Sequence, residues 1–286
     1  MMMRRVRTFL DAIKFEHTIF ALPFAYLGMV LAAHGWPTWR EFFWITVAMV
    51  SARTLAMAVN RVADLEYDAR NPRTAHRPLP RGELTPTQVW AAAGISLVIF
   101  LIAAWQLNPF VFKLAPLALV ALIGYSYTKR FTWLTHWWLG LTDGAAAAGA
   151  WAAVTGNLNS PTPWLLWLAV TFWIAGFDLI YACQDVDFDR AEGLHSVPAR
   201  FGIATALRVA QLCHVVTLIS LLAVGLVEGL CWPYWVGWIA VAALLGYEHS
   251  LVKPDDLSKV NVAFFTVNGY ISVIAFLATF AALFVR

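Results

Sequence analysis

The chain has 286 residues, 60% of them hydrophobic and only 13% charged, with a mean hydropathy of +0.66. A soluble globular domain is close to half apolar and a quarter charged, so this balance places the chain in a membrane. Twenty Lys and Arg against 17 Asp and Glu leave a formal charge of +3, too small for a nucleic-acid footprint. The three cysteines, Cys183, Cys213 and Cys231, form no CxxC pair, which argues against a disulfide framework or a cysteine metal site.

A hydrocarbon core of about 30 Å needs about 20 predominantly apolar residues per helix. Nine runs fit, at 17–35, 41–66, 87–107, 110–128, 134–156, 163–184, 204–227, 232–250 and 261–285. The breaks at Leu107-Asn108-Pro109 and Asn159-Ser160-Pro161 are short, whereas two long polar loops, at about 69–86 and 185–203, follow directly on the clustered aspartates at the ends of the second and sixth spans. Cytoplasmic loops carry the excess of Lys and Arg. With the amino terminus inside, that side collects Arg4, Arg5, Arg7, Lys14, Arg61, Arg70, Arg73, Arg77, Arg81, Lys129, Arg130, Arg190, Arg200, Arg208, Lys253 and Lys259. The other side has Arg40, Lys113 and Arg286, and Arg53 falls within a span. Tryptophans gather near span ends (Trp36, Trp39, Trp44, Trp133, Trp137, Trp138, Trp164, Trp232, Trp235), as an interfacial belt does. The prediction is an all-α integral membrane protein of nine transmembrane helices, amino terminus cytoplasmic, forming a single domain over 1–286 with both long loops on the cytoplasmic side.

At the end of the second span Asn60, Asp64 and Asp68 recur every four residues and share one helix face. At the end of the sixth, Asp185 and Asp189 stand four apart with Asp187 between them, each 121 residues after its counterpart. Carboxylates one turn apart at a membrane boundary need cations to neutralise them. Oxygen donors without cysteine or well-spaced histidine suit Mg²⁺, which completes its shell with water and substrate phosphate. A single such pair is better read as loop charges paired with nearby arginines; two at equivalent span ends favour a diphosphate held between two magnesium clusters. A calcium loop starting at Asp185 fails, because its sixth position is Arg190 and its twelfth Ser196.

Asn60-x-x-x-Asp64-x-x-x-Asp68 followed by Asn71-Pro-Arg-Thr-Ala-His-Arg77-Pro-Leu-Pro-Arg-Gly82 resembles the first signature of the intramembrane aromatic prenyltransferases, the UbiA superfamily. Tyr125-Ser-Tyr-Thr-Lys129-Arg130 and Tyr181-Ala-Cys-Gln-Asp185-Val-Asp-Phe-Asp189 resemble its middle and second acidic signatures. The resemblance covers nearly the whole chain in order. It implies a helix bundle around a central cavity capped by the two loops, and magnesium-dependent transfer of a prenyl chain from prenyl diphosphate to an aromatic acceptor. Asp64, Asp68, Asp185 and Asp189 would hold magnesium, two ions bridging the diphosphate, with Asn60 assisting; Tyr125 and Tyr181 would line the substrate site. The acceptor implied is 4-hydroxybenzoate, in ubiquinone-type synthesis, or 1,4-dihydroxy-6-naphthoate, for menaquinone; the segment Ile13–Phe24 leans toward the second. The enzyme would sit in the cell membrane with its site facing the cytoplasm, bind lipid, and need neither nucleic acid nor an obligate protein partner. Arg61 departs from the aspartate that many members carry there.

Lys129, Arg130, Arg73 and Arg77 are candidates for the diphosphate oxygens, though each equally serves membrane topology. Arg53, about two turns deeper than Asn60, needs an anion: the carboxylate of a hydroxyaryl acid, or Asp143 or Asp178 on another span. His17, His136 and His214 read as interfacial or core residues. From another class, a cation-coupled transporter would use Arg53, Asp143, Asp178 and Glu248 as an ion path, but has no need of two matched acidic helix ends.

Overall fold

The computed structural model describes residues 8–13 and 18–285, with side chains from Leu22 onward in the second stretch. Arg4, Arg5, Arg7, Lys14, His17 and Arg286 lie outside the described residues, and with them the amino-terminal part of the topology prediction. The regular structure of the described residues is helical, with no strand beyond one isolated bridge between Lys253 and Asp256. A short helical segment, α1, covers 8–12. It is followed by α2 (Thr18–Ala33), α3 (Trp39–Ala63), α4 (Leu65–Arg70), α5 (Pro86–Leu107), α6 (Pro109–Thr128), α7 (Thr135–Thr155) and α8 (Thr162–Ala182). A 3₁₀ turn (Cys183–Asp185) then leads to α9 (Val186–Ala191), α10 (Val197–Phe201), α11 (Ile203–Val227) and α12 (Trp232–Leu251), and a π-helical turn (Val262–Val267) enters α13 (Asn268–Ala282).

Six stretches are long and apolar enough to cross a membrane: Trp39–Ala63, Pro86–Leu107, Pro109–Thr128, Thr162–Ala191, Ile203–Val227 and Val262–Ala282. Large exposed apolar side chains such as Trp39, Trp105, Leu212 and Ile239 cover the outer surface, which a lipid solvent stabilises and water would not. The chain is a multi-pass membrane protein.

Local chemistry sets the helix boundaries. Thr38 caps α3 in a reciprocal box with Glu41, and Thr85 caps α5 with Gln88, with Pro86 in the first turn. Asn108 accepts from the Val111 N–H at 2.9 Å and starts α6 one residue after α5 ends. The expected break at Leu107-Asn108-Pro109 is this cap.

Two predicted features differ in detail. The second span does not run unbroken to 66; α3 stops at Ala63 and resumes as α4 across Asp64, whose φ of −95° and ψ of 7° lie between the helical and extended regions. Asp64 N and Asp68 N still donate to Asn60 O and Asp64 O at 2.9 and 2.7 Å, so the three acidic-motif residues keep a common face through the kink. The polar segment after 185 is not a loop but α9 and α10; Ser196, capping α10 through Ala199 N, divides them.

The bundle is held by close backbone approaches. α7 packs extensively on α8 and α2. A Cβ on Gly140 would lie 2.1 Å from the Thr171 carbonyl oxygen, and one on Gly28 would lie 2.1 Å from that of Ala147. Only hydrogen fits at these crossings, the small-residue packing that substitutes for hydrophobic driving force between helices in lipid. Gly149, on the same helix, has nothing within 4 Å of the equivalent position. Gly140→Val should lower the unfolding midpoint in detergent by the equivalent of about 3 kcal/mol or more, whereas Gly149→Ala should raise stability by up to about 1 kcal/mol through helix propensity. Thermal unfolding followed by circular dichroism distinguishes the two.

Candidate active site

A cavity of about 350 Å³ opens at the end of the bundle where α3–α4, α6, α8–α9 and the 71–85 segment meet. Every residue proposed from the sequence for magnesium or for the substrates lines it: Arg53, Asn60, Asp64, Asp68, Arg73, Arg77, Tyr125, Lys129, Arg130, Tyr181, Asp185 and Asp189. Asp187, exposed on α9, faces away into a separate groove with Arg190.

The second acidic motif repeats the backbone of the first. Asp185 ends the 3₁₀ turn after α8 with φ of −106° and ψ of 8°, within about ten degrees of Asp64, and α9 restarts behind it as α4 does behind Asp64. In both motifs the second aspartate, Asp68 or Asp189, is buried.

Each carboxylate at the mouth meets a cation from another element. Arg73 binds Asp185 bidentately, Nε to Oδ1 at 2.8 Å and a terminal nitrogen to Oδ2 at 2.6 Å, and donates to the Tyr181 hydroxyl at 2.9 Å. Asn71 Nδ2 adds a bond to Asp185 Oδ1 at 3.1 Å, while its Oδ1 accepts from the Arg73 N–H. Arg77 reaches both Asp68 oxygens at 2.7 Å, and Arg61 stands 3.9 Å from the same carboxylate. Lys129 Nζ donates to Asp189 Oδ1 at 2.8 Å, and Ser196 Oγ donates to Oδ2 at 2.9 Å. Asp64 has the loosest arrangement, with Asn60 Nδ2 at 2.7 Å and Arg130 at 3.7 Å.

This environment tunes the groups. Burial, reinforced by neighbouring Asp68, pushes the Asp64 carboxyl up to about 6. Burial works against the Arg73 charge, but the Asp185 hydrogen bonds and charge more than offset it, and its pKa is raised. Among the described residues, no three His, Cys, Asp or Glu side chains converge as a ready-made metal cage. The carboxylates stand as two pairs, Asp64 with Asp68 and Asp185 with Asp189, facing one space.

Deeper in the cavity, Arg53 lies 3.6 Å from Asp143, so its protein partner is Asp143, while Arg53 Nε is buried without a hydrogen bond. Asp178 takes a different partner, His136 Nδ1, at 2.6 Å. His136 is buried, as a core residue is, but it belongs to the cavity wall, a role its spacing did not reveal because Asp178 is 42 residues away. Glu248 sits behind the wall, accepting from Asn268 Nδ2 at 3.0 Å. Arg61, the family departure, is buried, donating to the Ala12 carbonyl at 2.9 Å and to Asn60 Oδ1 at 3.2 Å, and thereby orients Asn60. Sequence reasoning also missed Asn71 and Ser196; the Ser-x-Pro start of α10 was the available signal for Ser196.

Asp189 is 1% exposed at its side chain and Lys129 is 33% exposed. Removing the cation from a buried pair leaves an uncompensated charge. Lys129→Met should cost about 3 kcal/mol of stability in the ligand-free protein, the low end for a broken buried pair because Lys129 is partly solvated. Adding Asp189→Leu to Lys129→Met should recover most of that loss, measured by thermal unfolding of the single and double variants.

Comparison with known proteins agrees throughout the chain. The UbiA prenyltransferase family matches residues 21–282. A 4-hydroxybenzoate octaprenyltransferase of Cupriavidus necator is 32% identical over 260 residues, covering 91% of this chain and 90% of that protein. The apo structure of a UbiA homolog from Aeropyrum pernix K1 superposes with a TM-score of 0.84 at 33% identity, covering 92% of this chain and 96% of that one. A UbiA homolog from Archaeoglobus fulgidus, bound to DMAPP and Mg²⁺, shares the fold, with a TM-score of 0.76 at 19% identity over 98% of this chain and 100% of that one. Paired acids at two kinked helix ends, cations facing them across one intramembrane cavity, and a family match spanning most of the sequence lead to one conclusion: the chain belongs to the UbiA prenyltransferase family and is a membrane-embedded prenyltransferase.

Proposed function

We propose that this enzyme transfers a prenyl chain from prenyl diphosphate to 4-hydroxybenzoate, and that its two aspartate pairs would hold two Mg²⁺ ions for the diphosphate. The observation that carries this reading is the charge balance of the cavity. Its lining holds six carboxylates (Asp64, Asp68, Asp143, Asp178, Asp185, Asp189) and six cationic side chains (Arg53, Arg61, Arg73, Arg77, Lys129, Arg130). A diphosphate added to a neutral cavity needs positive charge brought with it. Divalent cations meet that need, and the donor set is hard oxygen, with one or two carboxylates per ion and room for phosphate, as Mg²⁺ prefers. The Mg²⁺ and DMAPP in the Archaeoglobus fulgidus homolog support the choice, and the Cupriavidus relative supports the acceptor.

In this reading Asp64 and Asp68 would hold one ion, with Asn60 assisting, and Asp185 and Asp189 would hold the other. Magnesium, when bound, neutralises negative charge developing on the leaving diphosphate. Arg73, Arg77 and Lys129 exchange their carboxylate partners for phosphate oxygens, with Arg130 at the rim; all four are within reach because they already touch the carboxylates that would hold the ions. Tyr181 and Tyr125 flank the reacting carbon; Tyr181 already packs against Phe264 with ring centroids 4.2 Å apart and planes tilted by 36°, an aromatic wall that keeps water from an allylic cation. Arg53, with an unused Nε and only a long contact to Asp143, takes the acceptor carboxylate. Nine spans with the cavity mouth on the cytoplasmic side complete the proposal: the six apolar helices are joined by α2, α7 and α12, and the Lys- and Arg-rich segments gather at the mouth.

Purified protein in detergent with Mg²⁺ and geranyl diphosphate should prenylate 4-hydroxybenzoate in preference to 1,4-dihydroxy-6-naphthoate, read by mass spectrometry. Asp64→Ala and Asp185→Ala should each reduce turnover by at least about 10³-fold, the scale of a lost charge-stabilising element. Preference for the naphthoate reassigns the acceptor, and retained activity in either variant removes the two-cluster arrangement.

The pH dependence follows from Asp64. With its carboxyl raised to about 6, protons compete with metal below that pH and not above it. The Mg²⁺ concentration giving half-maximal rate should therefore be flat from pH 8 to about 6.5 and rise about tenfold per unit below 6, one proton being displaced per ion. An unchanged requirement down to pH 5 counts against Asp64 as a ligand.

A further inference from the structure

The cavity contains one carboxylate arranged unlike the rest. Asp64, Asp68, Asp143, Asp185 and Asp189 each have a Lys or Arg nitrogen within 4 Å. Asp178 is partnered instead by His136, whose Nδ1 lies 2.6 Å from Asp178 Oδ2. The opposite ring nitrogen, Nε2, accepts from the Val197 backbone N–H at 3.3 Å, so the ring proton sits on Nδ1 and is donated to Asp178. The histidine is 1% exposed and locked between α8 and the start of α10, while the Asp178 side chain is 19% exposed toward the cavity. A carboxylate ion-paired with arginine is a poor proton acceptor, whereas one held at Oδ2 by an imidazole N–H presents its other oxygen to the cavity.

Its depth matters as much as its chemistry. His136, the partner of Asp178, precedes Asp143, the partner of Arg53, by seven residues on α7, or about 10 Å at 1.5 Å per residue. Asp178, seven residues before Asp185, therefore stands nearer the acidic mouth and the Arg53–Asp143 pair stands deeper. That interval leaves room for one benzene ring whose carboxyl and para-hydroxyl are each hydrogen-bonded at their own end. Building on the function proposed above, we infer that Asp178 is the proton acceptor for the aromatic hydroxyl, held in place by His136 as a positioning residue.

The step balances as follows. The carbon–oxygen bond to diphosphate breaks and a bond forms from that prenyl carbon to the ring carbon ortho to the hydroxyl, while the hydroxyl proton passes to an Asp178 oxygen. The resulting dienone loses its ring hydrogen as a proton to water, and Asp178 returns its proton to the ring oxygen, restoring the aromatic ring. One diphosphate and one proton leave per turnover. The titratable groups facing Asp178 are His136 and Asp143 from α7, Tyr125 from α6 and Tyr181 on its own helix, with Arg53 of α3 beyond Asp143.

Asp178→Asn tests this, because an amide oxygen can still accept from His136 Nδ1. With 4-hydroxybenzoate at pH 7 the variant should lose about 10²- to 10³-fold in kcat, the scale of a general base. With 3-fluoro-4-hydroxybenzoate, whose hydroxyl ionises more readily and whose second ortho carbon is free, the deficit should shrink by at least about tenfold, and raising the pH toward ionisation of the phenol should shrink it further. His136→Gln should lower kcat without altering the KM for geranyl diphosphate. Mg²⁺-dependent binding of geranyl S-thiolodiphosphate reports the fold and the diphosphate site, and it should be unchanged in both variants. Equal deficits with both acids at every pH, or loss of thiolodiphosphate binding, overturn the assignment while leaving the acceptor reading intact. Absence of product from the wild-type enzyme with any hydroxybenzoate overturns the functional reading and this inference together.

Discussion

Asp68, Asp185 and Asp189 are buried at the edge of a membrane, where an unpaired carboxylate is prohibitively costly, and the architecture of the mouth follows from how they are compensated. Each meets a cation from another element. Arg73 ties the 71–85 segment to the end of α8, Arg77 folds that segment back on α4, and Lys129 ties the end of α6 to α9. The same bonds that close the cap therefore assemble the chemistry. Because the partners are all cations able to bind phosphate, replacing one set of anions by another changes the ligands of Arg73, Arg77 and Lys129 without stranding a buried charge.

The two acidic ends share more than a motif. At Asp64 and Asp185 the backbone leaves the helical region at nearly the same φ and ψ, and a short helix restarts with the second aspartate buried one turn on. An uninterrupted helix would carry the second carboxylate along the original axis. The kink instead brings both carboxylates of each pair to face the same cavity while i→i−4 bonds persist through Asp64. This gives physical content to the 121-residue offset between the motifs: the same local device occurs twice, on helices that end at one mouth.

Below the mouth, depth organises polarity. Gly28 and Gly140 allow α2, α7 and α8 to approach at backbone contact, giving the walls a rigid frame. Within it, the acidic pairs stand outermost, the His136–Asp178 pair lies below them, and the loosely paired Arg53 lies deepest. Aromatic side chains fill the intervening wall, with Trp173, Phe177, Phe264 and Tyr181 in successive ring contacts. Phe264 and Phe265 reach the cavity from a π-helical turn, a local departure from regular helix that recurs at functional sites.

Composition, the long apolar runs and the four-residue spacing of aspartates are local properties, and they determined by themselves that the chain spans a membrane, that a helix boundary falls at Leu107-Asn108-Pro109, and that Asp64, Asp68, Asp185 and Asp189 stand as two pairs. Arg73, Arg77, Lys129 and Tyr181 were legible as members of one site through the resemblance of the motifs that contain them to the family's signatures. Which cation faces which carboxylate was not, because Arg73 and Asp185 are 112 positions apart and Lys129 and Asp189 are 60 apart. Nor was His136, whose only signal is Asp178 across two helices, or the choice of Asp143 over Asp178 as partner of Arg53. Those pairings are decided where helix crossings bring distant side chains within hydrogen-bond range, and a crossing set by glycine at Gly140 or Gly28 is a property of two backbones at once.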